Sequence, residues 1–580
     1  MTTKPSSPRI RIAVVAIALL LGFSLLVVQL FRWTVFARDE YRPESHLPAD
    51  LAHTAGRPRG DERGVIVDQH GVPLAIDRFR WEVWVEPNLV PRGTEVELGS
   101  QLVQLLGPSL LVSPEELMTA LRERKPGVLY LAREAPHEAG STVDSWHYLY
   151  AAAKAVPVRY YPQGTLAAHL LGFVNGQPRA YYGVEEYYDD YLRKVDPPFL
   201  RSDDQAQAVY NGLPAEWSQM LPSSTGQDLV LTIDRRVQYA TERVLAQAVE
   251  EYKAESGTII VMRPDDGAIL AMASVPTYDA NRFGSTNADL LLNPAIAKQY
   301  EPGSVFKIVT FASGLDAGVV TPETIMTDTL SIEIGDRQIF NSNQRTFGEV
   351  TVEEALVRSL NIPTAEIALK LQESRFYQYV HRFGFGQLTE VDLANESPGT
   401  VKVPGDELWS RSDLGTNSFG QGLAVTPLQM ATATCVIANG GLLVRPHVVD
   451  TMVFKGKVVK PDTLPVRRVI SAKAAQEVND MMVQVVEQGS FGARVPGYTV
   501  AGKTGTAQVA IAGGYSLTET IHSFVGFMPA ENPVFVALVK LDVPKTYPWA
   551  EGTAAPTFAK LANELLRIWH LPPAQVAQKP

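Results

Sequence analysis

The chain has 580 residues, of which 45% are hydrophobic and 20% are charged, and its formal net charge is −11 at pH 7. This length exceeds the size at which a single hydrophobic core stops growing, so two or more domains are expected, and the composition excludes a disordered chain. The acidic balance argues against nucleic-acid binding, which draws most of its affinity from clustered lysine and arginine.

An uncharged apolar run, IAVVAIALLLGFSLLVVQLF, occupies residues 12–31. About 20 helical residues span the roughly 30 Å hydrocarbon core of a bilayer, so the run predicts a single transmembrane helix. A cleaved signal peptide would have a shorter apolar run before a small-residue cleavage site, whereas this one ends at Phe31 and is followed by Arg32 and Trp33. Basic residues within 1–11 predict a cytoplasmic N-terminus, with the rest of the chain outside the membrane.

The region from 32 to 222 shows no set of side chains that would form a catalytic site, and we interpret it as an elongated pedestal or interaction domain. Within it, RGVIVDQHGVPLAI predicts a hairpin, because apolar residues flank a turn at Asp68–Gly71. A short polar tail at 571–580 is predicted to follow the second domain.

The region from 223 to 570 is predicted to be an α+β domain with helices packed on an antiparallel sheet. An alternating strand leads to Asp234, which is placed as the N-cap of a helix. Two apolar runs around Asp266-Gly267 predict a hairpin. A mostly helical middle from 294 to 371 precedes the strands that return near the C-terminus.

The segment TVEEALVRSLN predicts a helix with a well-defined start and end. Thr351 and Glu354 have the spacing of a capping box, and the helix is expected to stop at Asn361, ahead of Pro363. Ser359 and Asn361 would then project from a rigid corner, which suits a catalytic side chain.

The only cysteine, Cys435, lies in TPLQMATATCVIANGG, which predicts an apolar helix capped by Thr426 and Gln429. We therefore expect Cys435 to be a buried packing residue, and one cysteine cannot form an internal disulfide. The ten histidines form no cluster with metal-ligand spacing, so the sequence predicts a site without a metal or a cofactor.

Three short motifs with hydroxyl, amine and amide side chains occur in the order Ser304-x-x-Lys307, Ser359-x-Asn361 and Lys503-Thr504-Gly505. Alone, each has a structural explanation: a helix start, a helix end, and a loop before an edge strand. Together and in this order they are typical of the serine acyltransferases of penicillin-binding proteins and class A β-lactamases.

The spacing fits the chemistry of a serine nucleophile. Lys307 lies one helical turn from Ser304 and is able to take its proton once the amine is uncharged. Burial, and a second cation such as Lys503 across the cleft, would lower the pKa of Lys307 toward neutrality.

The other motif residues have complementary predicted roles. Ser359 relays a proton toward the leaving amine, while Asn361 orients Lys307 and hydrogen-bonds the substrate amide. Lys503 and Thr506 hold an anionic carboxylate on a strand that also carries Thr504, and Gly505 permits a close approach. The backbone N–H groups of Ser304 and Thr506 are the expected oxyanion donors. The predicted substrate-binding residues are therefore Thr504, Gly505 and Thr506.

Longer stretches extend the likeness: RGVIVDQHGVPLA, RYYPQGTLAAHLLG, YGVEEYYDDYL, LVLTIDRRVQ, NPAIAKQYEPGSVFK, GQGLAVTPLQMA, HSFVGFMPAENP and GTAAPTFAKL. From Arg63 to about Leu566 the chain resembles the class B penicillin-binding proteins, which are membrane-anchored peptidoglycan D,D-transpeptidases. The resemblance implies a pedestal of the dimerisation type and a transpeptidase domain of the serine β-lactamase-like fold. Two departures, Arg193-Lys194 after the YDDYL segment and Val305 after the nucleophile, affect details of the pedestal and of packing.

The resemblance also implies a reaction and partners. Ser304 would form an acyl-enzyme with the penultimate D-Ala of one peptidoglycan stem peptide, and an amino group of a second stem peptide would complete the crosslink. β-Lactams would be covalent inhibitors, and a SEDS-family glycosyltransferase in the inner membrane would be a partner, together with other division or elongation proteins. SFVGFMP and GTAAPTF resemble the division type more than the elongation type.

Rival functions share the same acyl-enzyme. In a D,D-carboxypeptidase, water would attack the acyl-enzyme. A β-lactamase would also need a base that activates this water, and a carboxylate such as Glu366 remains a candidate for that base. A β-lactam sensor would normally have more membrane spans. A non-catalytic scaffold of the division or elongation machinery is disfavoured because every motif residue is present.

Overall fold

A computed structural model describes residues 63–175, 179–193, 227–342, 344–454, 457–461, 465–511 and 514–573. The transmembrane helix predicted at 12–31 lies outside these ranges. None of the helices within them combines the length and the apolar character needed to cross a bilayer.

A five-stranded antiparallel sheet forms the centre of the second half. Its strands lie in the order Ala501–Ile511, Gly514–Met528, Phe535–Asp542, Ser256–Met262 and Ile269–Val275. Alternate residues of one strand enter different hydrophobic clusters: Ile260 and Met262 belong to one, Ile259 and Val261 to the other. Both faces of the sheet are therefore buried, which explains why the strands Ser256–Met262, Ile269–Val275 and Phe535–Asp542 are mostly apolar.

Helices cover both faces of this sheet. Lys307–Asp316, Pro427–Ala438 and Ala472–Gln488 contribute to the first cluster, and Arg235–Tyr252 and Ala554–Trp569 to the second. The predicted α+β domain is confirmed, as are the Asp234 N-cap, the hairpin at Asp266-Gly267 and the burial of Cys435. The remaining α-helices are Glu95–Leu106, Pro114–Glu123, His137–Ser145, Ala168–Leu171, Gly183–Tyr187, Asp189–Leu192, Pro294–Ala297, Val352–Val357, Asn361–Leu371, Glu373–Arg382 and Arg411–Ser418.

A seven-stranded mixed sheet joins strands from both halves of the sequence. Six strands lie in the order Lys457–Val459, Val449–Phe454, Gln227–Leu231, Ile66–Val67, Pro73–Val85 and Leu129–Ala135, and Ala151–Tyr160 also pairs with Pro73–Val85. The hairpin predicted around Asp68–Gly71 is confirmed, because Gly71 N–H donates to the Asp68 carbonyl oxygen at 3.0 Å and antiparallel strands flank the turn. The two halves of the chain are thus continuous through backbone hydrogen bonds.

Two expectations for the middle of the chain are wrong. The capping box of Thr351 and Glu354 is present, but the helix ends at Val357, and a second helix begins at Asn361 and continues through Pro363. Proline in the first turn of a helix costs no hydrogen bond, so Pro363 does not stop it. The middle region, predicted to be mostly helical, also contains four short strands in two antiparallel pairs: Ile325–Asp328 with Gly348–Thr351, and Ser331–Ile334 with Arg337–Phe340.

A buried ion-pair network lies where the pedestal begins. Glu185, which is fully buried, accepts hydrogen bonds from Arg159 Nε and Arg63 Nε, each at 2.7 Å. Asp77 accepts from Arg159 Nη1 at 3.0 Å and from the Arg63 backbone N–H at 2.8 Å. Burial alone would raise the pKa of Glu185, but the two guanidinium groups hold it below its usual value.

We expect Glu185→Ala to lower the free energy of unfolding by about 3–5 kcal/mol, because it removes the buried carboxylate that Arg63 and Arg159 share and leaves each guanidinium group with one remaining carboxylate. Urea denaturation of the full chain measures this change. The control is Glu138→Ala, which removes an exposed glutamate from a pedestal helix and should cost less than about 1 kcal/mol. Equal effects of the two substitutions would contradict a structural role for the network.

Candidate active site

Ser304 lies in a tight turn whose backbone is held from two sides. The turn, Gly303–Phe306, is a 3-10 helix that continues into the helix Lys307–Asp316. Gly303 has a φ of +58°, and its N–H donates to the Gly420 carbonyl oxygen at 3.0 Å. A Cβ on Gly420 would come within 2.3 Å of the Gly303 oxygen. Glycine at both positions therefore lets the two backbones meet and fixes Ser304.

The Lys307 side chain is fully buried, and its amine contacts oxygen atoms of the second motif. Nζ donates to the Ser359 carbonyl oxygen at 2.5 Å and to Asn361 Oδ1 at 2.8 Å, and it lies 3.3 Å from Ser359 Oγ. An uncharged amine has two N–H donors, which the carbonyl and the amide oxygen accept. Its lone pair then remains able to accept a proton from a hydroxyl group.

The second motif occupies a corner between two helices. Ser359 has a φ of +58°, a left-handed conformation that separates the helix Val352–Val357 from the helix Asn361–Leu371. Asn361 Nδ2 donates to the Phe340 carbonyl oxygen at 2.9 Å, so Oδ1 is the atom that faces Lys307. The strained backbone at Ser359 and the fixed amide of Asn361 together orient the lysine.

The third motif lies on the edge strand of the central sheet. Lys503 is 1% exposed, and its Nζ donates to the Thr504 carbonyl oxygen at 3.0 Å. Gly505 packs directly on the nucleophile turn, since a Cβ there would lie 2.9 Å from Val305 Cγ1 and 3.0 Å from the Pro302 oxygen. A glycine in this strand therefore allows the close approach that its position in the sequence predicted.

Two grooves meet at Ser304. The hairpin groove, of about 530 Å³, is lined by the strand Arg337–Phe340 and by Ser304, Asn361 and Thr506 among others. The loop groove, of about 410 Å³, shares five lining residues with the hairpin groove: Ser304, Ser342, Thr506, Pro548 and Trp549. It adds the following residues: Arg358, Ser359, Thr504, Tyr547, Glu551 and Gly552. Lys307 and Lys503 are buried behind these walls. Five of the eight sequence-predicted residues thus line the two grooves, while the two lysines donate to residues of these walls and Gly505 packs on the nucleophile turn.

The two buried lysines are electrostatically different. Burial, and secondarily the charge on Lys503, lower the pKa of Lys307 well below its usual value. Burial also lowers the pKa of Lys503, to about 8, while the Glu551 carboxylate opposes that change. The pKa of Lys307 is thus shifted in the direction that a general base requires, while Lys503, with a pKa of about 8, is mostly charged at pH 7, as a carboxylate ligand requires.

Sequence reasoning missed two groups of cleft residues. The hairpin Ser331–Ile334 with Arg337–Phe340 forms one wall, and the turn signal Gly335-Asp336 in SIEIGDRQIF would have predicted it. Glu551 lies on a loop after the last strand, where no local pattern marks it. Within the described ranges, Glu366 lines neither groove.

Comparison with known families gives two matches along the chain. The family described as "Penicillin binding protein transpeptidase domain" matches residues 257–563, and "Penicillin-binding Protein dimerisation domain" matches residues 59–196. All three motifs lie within the first match.

Individual relatives agree with these matches. Stage V sporulation protein D of Bacillus subtilis is 30% identical over 515 residues, covering 87% of this chain and 78% of the relative. Peptidoglycan D,D-transpeptidase FtsI of Escherichia coli K12 is 29% identical, covering 88% and 84%. The crystal structure of penicillin-binding protein 3 from Mycobacterium tuberculosis, complexed with aztreonam, aligns with a TM-score of 0.67 at 26% identity, covering 89% and 97%.

Proposed function

The chain belongs to the penicillin-binding protein transpeptidase family, and from that premise we propose that it crosslinks peptidoglycan stem peptides through an acyl-enzyme on Ser304. It is a class B enzyme of the division type, in keeping with its likeness to the FtsI and penicillin-binding protein 3 relatives. The observation that carries the proposal is the Lys307 amine, buried beside the nucleophile turn and bound by Ser359 and Asn361.

Acylation follows from these positions. Lys307 takes the proton of the Ser304 hydroxyl, and Oγ attacks the carbonyl carbon of the penultimate D-Ala. The backbone N–H groups of Ser304 and Thr506 stabilise the oxyanion, and Lys503 and Thr506 bind the terminal carboxylate. Ser359 passes the proton from Lys307 to the departing nitrogen, so the peptide bond breaks and D-Ala leaves as an amine.

Deacylation reverses the proton transfers with a different nucleophile. The amine of a second stem peptide attacks the ester carbonyl and gives its proton to Lys307. Oγ leaves, takes that proton back, and a new peptide bond joins the two strands. A β-lactam carries an acyl group and a carboxylate that fit the same positions, and its ring-opened ester on Ser304 would block the site.

Location and partners belong to the same proposal. The apolar run at 12–31 anchors the chain in the inner membrane and places the catalytic domain on the outer side. The pedestal, predicted at 32–222, positions the catalytic domain at 223–570 beside a SEDS-family glycosyltransferase. That enzyme would supply the nascent glycan strands.

The test is to incubate the full chain in liposomes with nascent, uncrosslinked peptidoglycan strands, with and without a SEDS-family glycosyltransferase. Muramidase digestion and mass spectrometry then distinguish the products. Crosslinked dimers support the transpeptidase. Monomers shortened by one D-Ala would identify a carboxypeptidase instead, and unchanged pentapeptides would favour a non-catalytic scaffold.

We expect Asn361→Asp to slow acylation by benzylpenicillin about tenfold or more at neutral pH. The substitution keeps the shape of the side chain but puts a negative charge 2.8 Å from the Lys307 amine. An opposite charge this close raises the pKa of a lysine by about 1–3 units, so Lys307 would hold its proton and cease to be a base. Because that proton is lost as the pH rises, the rate of the variant relative to that of the wild-type chain should recover in alkaline buffer.

Stopped-flow measurement of the acylation rate against pH tests this prediction. Asn287→Asp is the matched control, since it adds the same charge at an exposed turn outside both grooves. A rate loss of equal size at every pH would indicate a structural defect rather than a protonated Lys307.

A further inference from the structure

Glu551 brings a carboxylate to the cleft that none of the three motifs contains. It lies in the 3-10 turn Ala550–Gly552 and accepts a hydrogen bond from the Thr504 hydroxyl at 2.7 Å. The same turn is fixed a second time, because the Ala550 N–H donates to Thr506 Oγ1 at 3.1 Å. Two threonines of the edge strand, Thr504 and Thr506, thus hold the turn in place.

Thr504 also connects this carboxylate to Lys503. Its hydroxyl holds Glu551, and its carbonyl oxygen accepts from Lys503 Nζ at 3.0 Å. Successive residues of a strand point to opposite faces, so the amine and the carboxylate lie on the two sides of the Thr504 peptide. Lys503 is 1% exposed, and a buried ammonium group is costly without a nearby negative charge.

Few other charges face Lys503 within the described ranges. Lys307 is the other buried amine of the cleft, and its pKa is lowered well below the usual value. Burial lowers the pKa of His522, on the neighbouring strand, to about 4, so its imidazole is neutral at pH 7. The helix Ala472–Gln488 packs on this strand through uncharged residues. The charged side chains of that helix lie on its outer side: Lys473, Glu477, Asp480 and Glu487.

We propose that Glu551 is a positioning residue of this active site, which keeps the buried Lys503 charged from the far side of the edge strand. This inference rests on the proposed function, because Lys503 in its charged form binds the donor carboxylate and keeps Lys307 neutral. One carboxylate at the rim thereby helps two adjacent lysines to adopt opposite charge states. It sets the upper pH limit of acylation.

The direction of its effect can be worked out from the charge states. Burial lowers the pKa of Lys503 to about 8, and the Glu551 carboxylate limits that decrease. Without the negative charge, Lys503 would lose its proton at a lower pH. The carboxylate of the donor would then lose its partner over the same lower pH range, although the Ser304 and Lys307 side chains themselves are not substituted.

The experiment compares the pH profile of acylation by benzylpenicillin, which bears a carboxylate, for the full chain and for Glu551→Gln. Glutamine still accepts a hydrogen bond from Thr504 but carries no charge. We expect the alkaline limb of the profile to shift to lower pH by about 0.5–1 pH unit in Glu551→Gln. The rate of this variant should then be about three- to tenfold below the wild-type rate near pH 9, and the difference should be much smaller near pH 7. Glu551→Asp keeps the charge and should restore most of the alkaline limb.

Other outcomes are informative. If the acylation rate of Glu551→Gln decreased by the same factor at every pH, or if the alkaline limb did not shift, the inference would be overturned. An adduct on Ser304 of the wild-type chain would still support the proposed function in that case. Slower release of the adduct in Glu551→Gln with unchanged acylation would overturn it too, because Glu551 would then be a deacylating base. Absence of an adduct from the wild-type chain would count against the proposed function itself.

A second variant guards against a folding defect in Glu551→Gln. Thr504→Val removes the hydroxyl that holds the carboxylate and keeps the size of the side chain. It should move the alkaline limb in the same direction by a smaller amount. Melting temperatures of both variants, compared with that of the wild-type chain, show whether the fold is retained.

Discussion

Replacing Ser304 with alanine in the full chain is expected to abolish the covalent adduct with benzylpenicillin and all crosslinking activity. The hydroxyl is the only group in the cleft that we assign as a nucleophile, and alanine offers no atom to which an acyl group could bind. The turn that holds Ser304 depends on the backbones of Gly303 and Gly420, so the substitution should leave the fold unchanged.

Intact-mass measurement and peptide mapping after incubation with benzylpenicillin detect the adduct. Two other serines line the loop groove, Ser342 and Ser359, and they provide the comparison. Ser342→Ala should still form the adduct on Ser304, and Ser359→Ala should form it slowly. An adduct that persists in Ser304→Ala, or that maps to another serine, would refute the assignment of the nucleophile.

The second large effect is expected for Lys307→Met, which should slow acylation by about 10²–10⁴-fold, the usual contribution of a general base. Methionine fills a similar volume but cannot take the Ser304 proton. Lys307→Arg is the informative companion, because arginine keeps donors for Ser359 and Asn361 but stays protonated at every accessible pH. We expect it to be as slow as the methionine variant.

The acylation rate measured by stopped flow decides between these roles. If Lys307→Arg kept a tenth or more of the wild-type rate, Lys307 would act by holding the motif together and not as a base. Lys370→Met, at an exposed lysine, controls for the loss of a positive charge.

Stability measured against pH provides an independent check on Lys307. Its pKa is lower in the folded protein than in the unfolded chain, so between those two values the unfolded chain binds more protons. The free energy of unfolding should therefore rise with pH across that window. The rise should be smaller in Lys307→Met, and identical slopes in the two proteins would mean that the folded lysine is not deprotonated.

The sequence identified the chemistry because the three motifs are local. Ser304 and Lys307 are one turn apart, Ser359 and Asn361 flank one residue, and Lys503 begins a strand of small residues. Their order along the chain indicated one class of reaction before any contact was known. The apolar strands and the caps at Thr351, Asp234 and Thr426 are local as well, and they were correctly predicted.

Local patterns failed where the tertiary structure competes with them. Pro363 indicated a helix end, but the chain turns earlier, at Ser359, whose left-handed backbone is maintained by the contacts around Lys307 and Asn361. The hairpin that fixes Asn361 was missed because its four-residue strands are too short to give a clear period.

The sequence by itself determined the family to which the chain's chemistry belongs and the residues that we assign to the reaction. Only the tertiary structure decided the charge states of those residues. Burial, and secondarily the charge on Lys503, lower the pKa of Lys307 well below its usual value, whereas the Glu551 carboxylate opposes the decrease at Lys503. Each of these pairs of residues is distant in the chain. Burial and charge proximity depend on which segments meet in the folded chain, and no local pattern encodes that meeting.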